Sequence, residues 1–276
     1  MRTDDESRVH CPVSPNSSER IGPAMTEDGQ ARKGRYMYAI VLASGDGIYG
    51  FSGIDEGAVY GVSDGRVAAA VSDVPNRKVR PERRHLAAHE QVLRRLMEAN
   101  TVLPMRFGTI ADGTKAVQDI LSRNGDVFLD QLQRVAAKAE MGLRVKWDVP
   151  NIFQYFVDTH PELQAARDIL FGRNRTPSHD DKIELGRLFD RVLQEDREAH
   201  TESVEEVLRP HCFEIKRNGC RSEEEVMNLA CLVGRDSQAA FQEAVFEAAK
   251  LFDNNFAFDY SGPWAPHNFV EVALEL

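Results

Sequence analysis

The sequence predicts an α+β protein whose second half follows a split βαβ, ferredoxin-like plan. Three observations predict it. From Leu143 onward the periodicities run strand, helices, strand, strand, helix, strand. Ahead of that, short apolar strands flank Ser63-Asp64-Gly65, a hairpin signal because Asp-Gly accepts the positive φ of tight turns. Within the second half lie two long, strongly charged helical stretches, expected to form a hairpin that partly projects. At 276 residues the chain holds material for one large or two modest domains, each with a buried core.

Residues 1–35 are rich in Ser, Pro, Gly and charge, and bury too little apolar surface to offset chain entropy. They are read as a disordered extension. The folded part begins with a strand over 36–42, apolar on both faces. Gly45, Gly47 and Gly50 lack the spacing of a dinucleotide-binding turn, so that stretch is read as a loop. Strands over 59–62 and 66–71 flank the hairpin signal. Pro81 suits a first helical position, and the helix from there to about residue 99 carries Leu86, His89, Leu93, Leu96 and Met97 on one face. Residues 101–110 return as a strand, with Pro104 marking an edge or a bulge.

A helix follows over 114–139, with a break expected at Asn124-Gly125, then a strand over 143–147 with Leu143, Val145 and Trp147 on one face. The first long helix spans about 151–171 and is interrupted or restarted at His160-Pro161. The second spans about 179–208 with Ser178 as its N-cap. Strands over 213–216 and 227–233 precede a helix over 238–252, capped by Ser237. Its buried stripe is Phe241, Ala244, Val245, Ala248 and Phe252. Phe256, Phe258 and Tyr260 then alternate with smaller or polar residues, as in a half-buried strand. Gly262-Pro263 is expected to stop the ladder, leaving Trp264 on a stiff corner before Pro266. Val270, Val272, Leu274 and Leu276 alternate with Glu271 and Glu275, so the chain finishes on an apolar-faced strand that wants a place to insert.

Composition excludes several classes. A formal charge of −10 argues against a broad nucleic-acid or anionic-membrane surface. No stretch approaches the roughly 20 apolar residues of a membrane-spanning helix, and the N-terminus lacks a secretory apolar core. Cys11, Cys212, Cys220 and Cys231 are irregularly spaced and read as free thiols in a reducing cytoplasm. The eight histidines show no metal-ligand spacing, and His211, Cys212 and Cys220 lack a fourth zinc ligand. Neither a nucleophile elbow nor a phosphate loop is present. No cofactor or metal is therefore expected. His89, on the apolar face of its helix, is read as a hydrogen-bonded core histidine rather than a catalytic one. The run Arg77, Lys78, Arg80, Arg83, Arg84 is either a solvated loop or a hint of an acidic partner. Arg106 reads equally as a buried structural cation or a binding contact.

Three motifs point to a family. They are the segment running through Pro104, Met105, Arg106, Phe107, Gly108 and Thr109; the segment from Glu140 to Val145-Lys146-Trp147; and the segment running through Gly262, Pro263, Trp264, Ala265, Pro266, His267, Asn268 and Phe269. In this order and spacing they resemble the gas vesicle synthesis proteins of the GvpL/GvpF family, across residues 36–276. His267 stands where that family often carries Tyr. The resemblance implies two α+β domains, the second a modified ferredoxin-like fold. It also implies a cytoplasmic, non-catalytic accessory protein that binds the small hydrophobic gas vesicle shell protein and other accessory proteins. A different class, a regulatory ferredoxin-like module holding a small ligand, is open to the same composition.

The expected organisation is then an extension at 1–35, an α+β domain at 36–111, a ferredoxin-like domain with its helical pair at 112–268, and a tail at 269–276. That tail is expected to pack back on the first domain, with Trp264 wedged near the junction.

Overall fold

A computed structural model describes residues 33–43, 47–172 and 176–271. The expected disordered extension as far as residue 32, part of the Gly-rich loop, part of the turn between the long helices, and the tail beyond Glu271 lie outside the described residues.

The first sheet is built on β1 (Lys33–Leu42), whose apolar run on both faces marks a strand covered on both sides. β2 (Ile48–Ser52), β3 (Ala58–Ser63) and β4 (Val67–Pro75) extend it in the order β2-β3-β4-β1, all antiparallel. The β3–β4 turn closes as its Asp-Gly pair predicts: the Asp64 carboxylate accepts the N–H groups of Arg66 and Val67, both at 2.9 Å. A register shift in β1 between Met37 and Ala39 turns Tyr38 and Ala39 to the same side. On that side lies α1 (Arg83–Met97), packed through Val92, Leu93, Leu96 and Met97. Met37 and Ile40 face the other side, against α2 (Gly113–Arg134).

The strand expected over 101–110 is not continuous. Only β5 (Leu103–Pro104) and β6 (Ile110–Ala111) pair, both with β1. Between them the Thr109 N–H and hydroxyl both donate to the Arg106 carbonyl, at 3.2 and 2.7 Å, and Gly108 sits at φ +86°. That is a tight turn only a residue tolerant of positive φ can close. The helix expected from Pro81 begins at Arg83, because Glu82 remains extended at ψ 150°. Leu86, placed on its buried face from the sequence, is exposed, and His85 and Val92 are buried instead. α2 runs straight through Asn124-Gly125, where Asn124 donates its amide to the Ile120 carbonyl. It stops at Arg134, and Ala137 at φ 55° starts the chain into a strand earlier than expected.

The second sheet has the order β10-β7-β9-β8 and is wholly antiparallel. Its strands are β7 (Lys138–Trp147), β8 (Glu214–Asn218), β9 (Glu225–Gly234) and β10 (Phe256–Trp264). Met141, Leu143, Val145 and Trp147 of β7 share one core with α3 (Ile152–Thr159), α4 (Pro161–Phe171), α5 (His179–Leu208) and α6 (Gln238–Ala249). Ala230 and Leu232, on the opposite face of β9, join the core around α2. α2 therefore lies between the two sheets and fills a layer common to both.

His160 is extended and Pro161 opens α4, which is why the first long helix breaks there. Ser178 and Asp181 form a reciprocal capping box on α5. α5 has no buried residue before Phe189, and α4 buries only Leu163. The ends of the two helices beside residues 173–175 thus stand outside the core, with Ile169, Phe171 and Ile183 exposed. Ser237 makes no side-chain cap on α6; its hydroxyl turns to Asp236. β10 does not stop at Gly262-Pro263. It passes through that cis peptide, shifts register after Ser261, and pairs Trp264 with Glu140. Among the described residues β10 is an edge strand, the place in a sheet where a residue without an N–H does least harm.

Candidate functional site

Two of the three sequence motifs meet where the sheets join. Glu140 lies near the start of β7, buried, opposite Trp264. Its Oε2 accepts the backbone N–H of Asn268 at 2.8 Å and its Oε1 accepts the Asn268 side-chain amide at 2.6 Å. Burial pushes the Glu140 carboxyl up; the two Asn268 bonds and Lys216 pull it down, while Glu90 on α1 adds to the rise. Gly262 is needed beside it. Its φ is +125°, and a Cβ there would lie 2.9 Å from the Glu140 carbonyl and 3.0 Å from the Met141 thioether.

The chain between these points is spent on contacts across the junction. Trp264 receives the Arg94 guanidinium of α1 at 5.7 Å over its ring and donates its indole N–H to Ser261. Ala265 is buried in the α1 core, and Pro266 is buried beside it. Phe269 is fully buried in the core around α2, and Lys216 of β8 sits 5.7 Å above its ring. Gly262, Pro263 and His267 are exposed.

The first motif supports the same region from the other side. The Tyr36 hydroxyl accepts the Gly108 N–H at 3.0 Å and bonds His89 Nδ1 at 2.9 Å. Either tautomer of a neutral imidazole satisfies this bond. Burial favours the neutral ring, pushing the His89 pKa down to about 4. Phe107 packs edge-on against both rings, at 6.0 Å from Tyr36 and 5.7 Å from His89. Pro104 is buried, Thr109 closes the turn, and Arg106 is exposed rather than a buried cation. Lys146 is not brought to this region. It is half-buried at the far end of β7 opposite Ala257, about 20 Å along the strand from Glu140.

Arg235 was not legible from the sequence. It follows β9 and donates from both terminal nitrogens, at 2.7 Å each, to the carbonyls of Met97 and Asn100 at the end of α1. Tyr36 and Tyr38 left a usable signal: phenols in a strand otherwise fully apolar must find hydroxyl partners. Tyr38 finds Ser72 at 2.5 Å and the Ile54 N–H at 2.8 Å. Among the described residues no group of three or more His, Cys, Asp or Glu is placed to hold a metal ion. No described helix is long and apolar enough to cross a membrane.

Fold and junction define an α+β protein whose motif residues tie two antiparallel sheets to each other through a shared helix layer. A family model described as gas vesicle synthesis protein GvpL/GvpF matches residues 34–271, and the chain belongs to that family. Its relatives include gas vesicle protein F of Dolichospermum flosaquae, 25% identical over 86% of this chain and 97% of that protein. Gas vesicle protein F of Streptomyces sp. (strain CB03234) is 28% identical over 75% of this chain and 85% of that protein. Among solved structures, the crystal structure of GvpF from Anabaena sp. PCC7120 superposes with a TM-score of 0.74, at 25% identity, covering 87% of this chain and 99% of that one. GvpF from Microcystis aeruginosa gives 0.72 at 22% identity, a likeness of fold.

Proposed function

We propose that this chain is a non-catalytic accessory protein of gas vesicle assembly, acting in the cytoplasm by binding the small hydrophobic shell protein and other accessory proteins. Membership of the GvpL/GvpF family across residues 34–271 carries the reading. The side chains where the second and C-terminal motifs meet support it further: Glu140, Asn268, Trp264 and Phe269 are engaged with one another or with the two sheets, as in a scaffold whose rigidity is the point. The wholly antiparallel order β10-β7-β9-β8 favours reading the second half as a modified ferredoxin-like domain carrying a helical pair. On this reading α2 is a shared layer between two domains rather than the start of the second. The protruding ends of α4 and α5 are the candidate partner surface.

Deleting the gene in a gas-vesicle-forming host tests the reading. Vesicles should be lost or impaired and restored by the intact chain; normal buoyancy in the deletion strain would overturn it. A pull-down of the tagged chain from the same cells should recover the shell protein.

A further inference from the structure

The segment between β4 and α1 carries five basic residues in the eight positions from 77 to 84, on a chain with 44 acidic and 34 basic residues. It borders an open cleft of about 380 Å³. Arg77, Lys78 and Arg80 line the cleft together with Pro75 and the half-buried Val79.

Two acidic groups, Asp55 and Glu82, also line the cleft, and both are already committed. The Asp55 carboxylate lies 3.0 Å from His85 Nε2, and Glu82 lies 2.9 Å from Arg84. Among the described residues the side chains of Arg77, Lys78 and Arg80 have neither a carboxylate nor a hydrogen-bond partner. The loop that presents them is nonetheless held. His85, buried in the first turn of α1, bonds the Arg80 carbonyl at 2.9 Å, and the Arg77 N–H bonds the Pro75 carbonyl at 2.7 Å. A positive surface held in place loses little conformational freedom on binding.

We propose that this cleft docks an acidic segment of a partner polypeptide. Carboxylates would pair with Arg77, Lys78 and Arg80, while an apolar side chain between them rests on Pro75 and Val79. The mixed lining favours a peptide over a phosphate polymer or a lipid headgroup, neither of which supplies an apolar side chain beside its charge. The overall charge of −10 also repels an extended polyanion, whereas a short acidic segment meets only the local positive field. The choice of a polypeptide partner rests on the assembly reading above.

The test uses a fluorescein-labelled peptide, Glu-Asp-Leu-Glu-Asp-Leu-Glu-Asp, and fluorescence anisotropy with the full chain at about 0.15 M salt, where non-specific surface attraction is screened. Saturable binding should weaken by at least about tenfold in the triple variant Arg77→Glu, Lys78→Glu, Arg80→Glu. A control triple reversal on exposed positions elsewhere, Lys115→Glu, Arg123→Glu, Arg221→Glu, should leave it within about twofold. Replacing both Leu residues of the peptide by Ser should also weaken binding. Absence of saturable binding, or equal loss in both triple variants, overturns the proposal. So does displacement of the peptide by phosphatidylserine–phosphatidylcholine vesicles or oligo-dT more strongly than by the unlabelled peptide. Should the charge-reversed chain melt early, the corresponding triple Gln variant serves in its place, with the same expectation. The peptide assay does not involve vesicle formation, so its failure leaves the gene-deletion result standing and the two readings fail separately.

Discussion

Asn268 gives both its backbone and its side-chain N–H to one carboxylate, that of Glu140, across 128 positions of sequence. The pair fixes the chain leaving β10 onto the start of β7, and places Phe269 in the core around α2. A buried carboxylate held by two donors is costly to leave unpaired, which defines the first expectation. Asn268→Ala should lower stability by about 1–3 kcal/mol, and Glu140→Ala by a similar amount through the orphaned amide. Because the two share one interaction, the double variant should cost clearly less than the sum. Urea denaturation of all four proteins measures this, and additive losses would refute the coupling.

Phe269 carries the apolar half of the same attachment. It is fully buried among Met37, Leu103, Phe128, Leu232 and their neighbours. Phe269→Ala should cost about 3–5 kcal/mol, the usual range for an aromatic removed from a packed core. Truncation after Asn268 should cost at least as much. A truncated chain that melts like the intact one would mean that the end of the chain does not clamp the sheets.

His89 should make stability fall with acid. Its pKa is about 4 in the folded chain, against 6.5 when unfolded. Between those values the unfolded chain takes up a proton that the folded one refuses, so stability is lost as pH drops from 6.5 towards 4, by at most about 3 kcal/mol. Glu140 works in the opposite direction, since its raised carboxyl binds a proton more readily when folded. His89→Gln keeps a hydrogen-bond partner for the Tyr36 hydroxyl and removes only the histidine contribution. The stability advantage of the parent over this variant should therefore shrink as pH falls through that window. A constant difference would show that His89 does not titrate in this way.

Arg235 anchors the end of α1 from the other sheet through two carbonyls. Lysine keeps the charge but not the two-pronged geometry, so Arg235→Lys should be destabilising by about 1–3 kcal/mol and Arg235→Ala by at least as much. Hydrogen exchange at Met97–Asn100 should rise in both. Unchanged protection there would place the anchor elsewhere.

Gly262 tests the junction backbone directly. Alanine at φ +125° is strained, and its Cβ would press on the Glu140 carbonyl at 2.9 Å. Gly262→Ala should lose about 1–3 kcal/mol in a thermal or urea melt, and an unaltered stability would mean that β10 can rearrange around the bulge.

Most of the elements were legible because their signals are local. The Asp64-Gly65 turn, the Ser178 cap, the Pro161 restart and the alternation of Phe256, Phe258 and Tyr260 each depend on a few neighbouring residues, and each stands where expected. The misread places depend on distant partners. Arg106 to Thr109 form a turn inside an apolar run because Tyr36 offers its hydroxyl to the Gly108 N–H. Gly262-Pro263 does not end its strand because, among the described residues, β10 has no neighbour on its outer side. Asn124-Gly125 does not break α2, because the missing side chain of Gly125 leaves room for the Arg66 guanidinium from the β3–β4 hairpin.

The candidate site divides in the same way. The family resemblance singled out Glu140, Trp264, Asn268 and Phe269 as motif residues, and the prolines around Trp264 led to the expectation that it lies near a junction. That Glu140 and Asn268 bind each other, that Lys146 stands apart, and that Arg235 ties a strand end to a helix end were decided only by the tertiary structure. Periodicity and turn chemistry act over one or two turns of chain, so the sequence by itself determines which segments become strands and helices. The pairing of two groups 128 positions apart depends on how those segments stack, and that is set by the apolar faces that α2 buries between the two sheets.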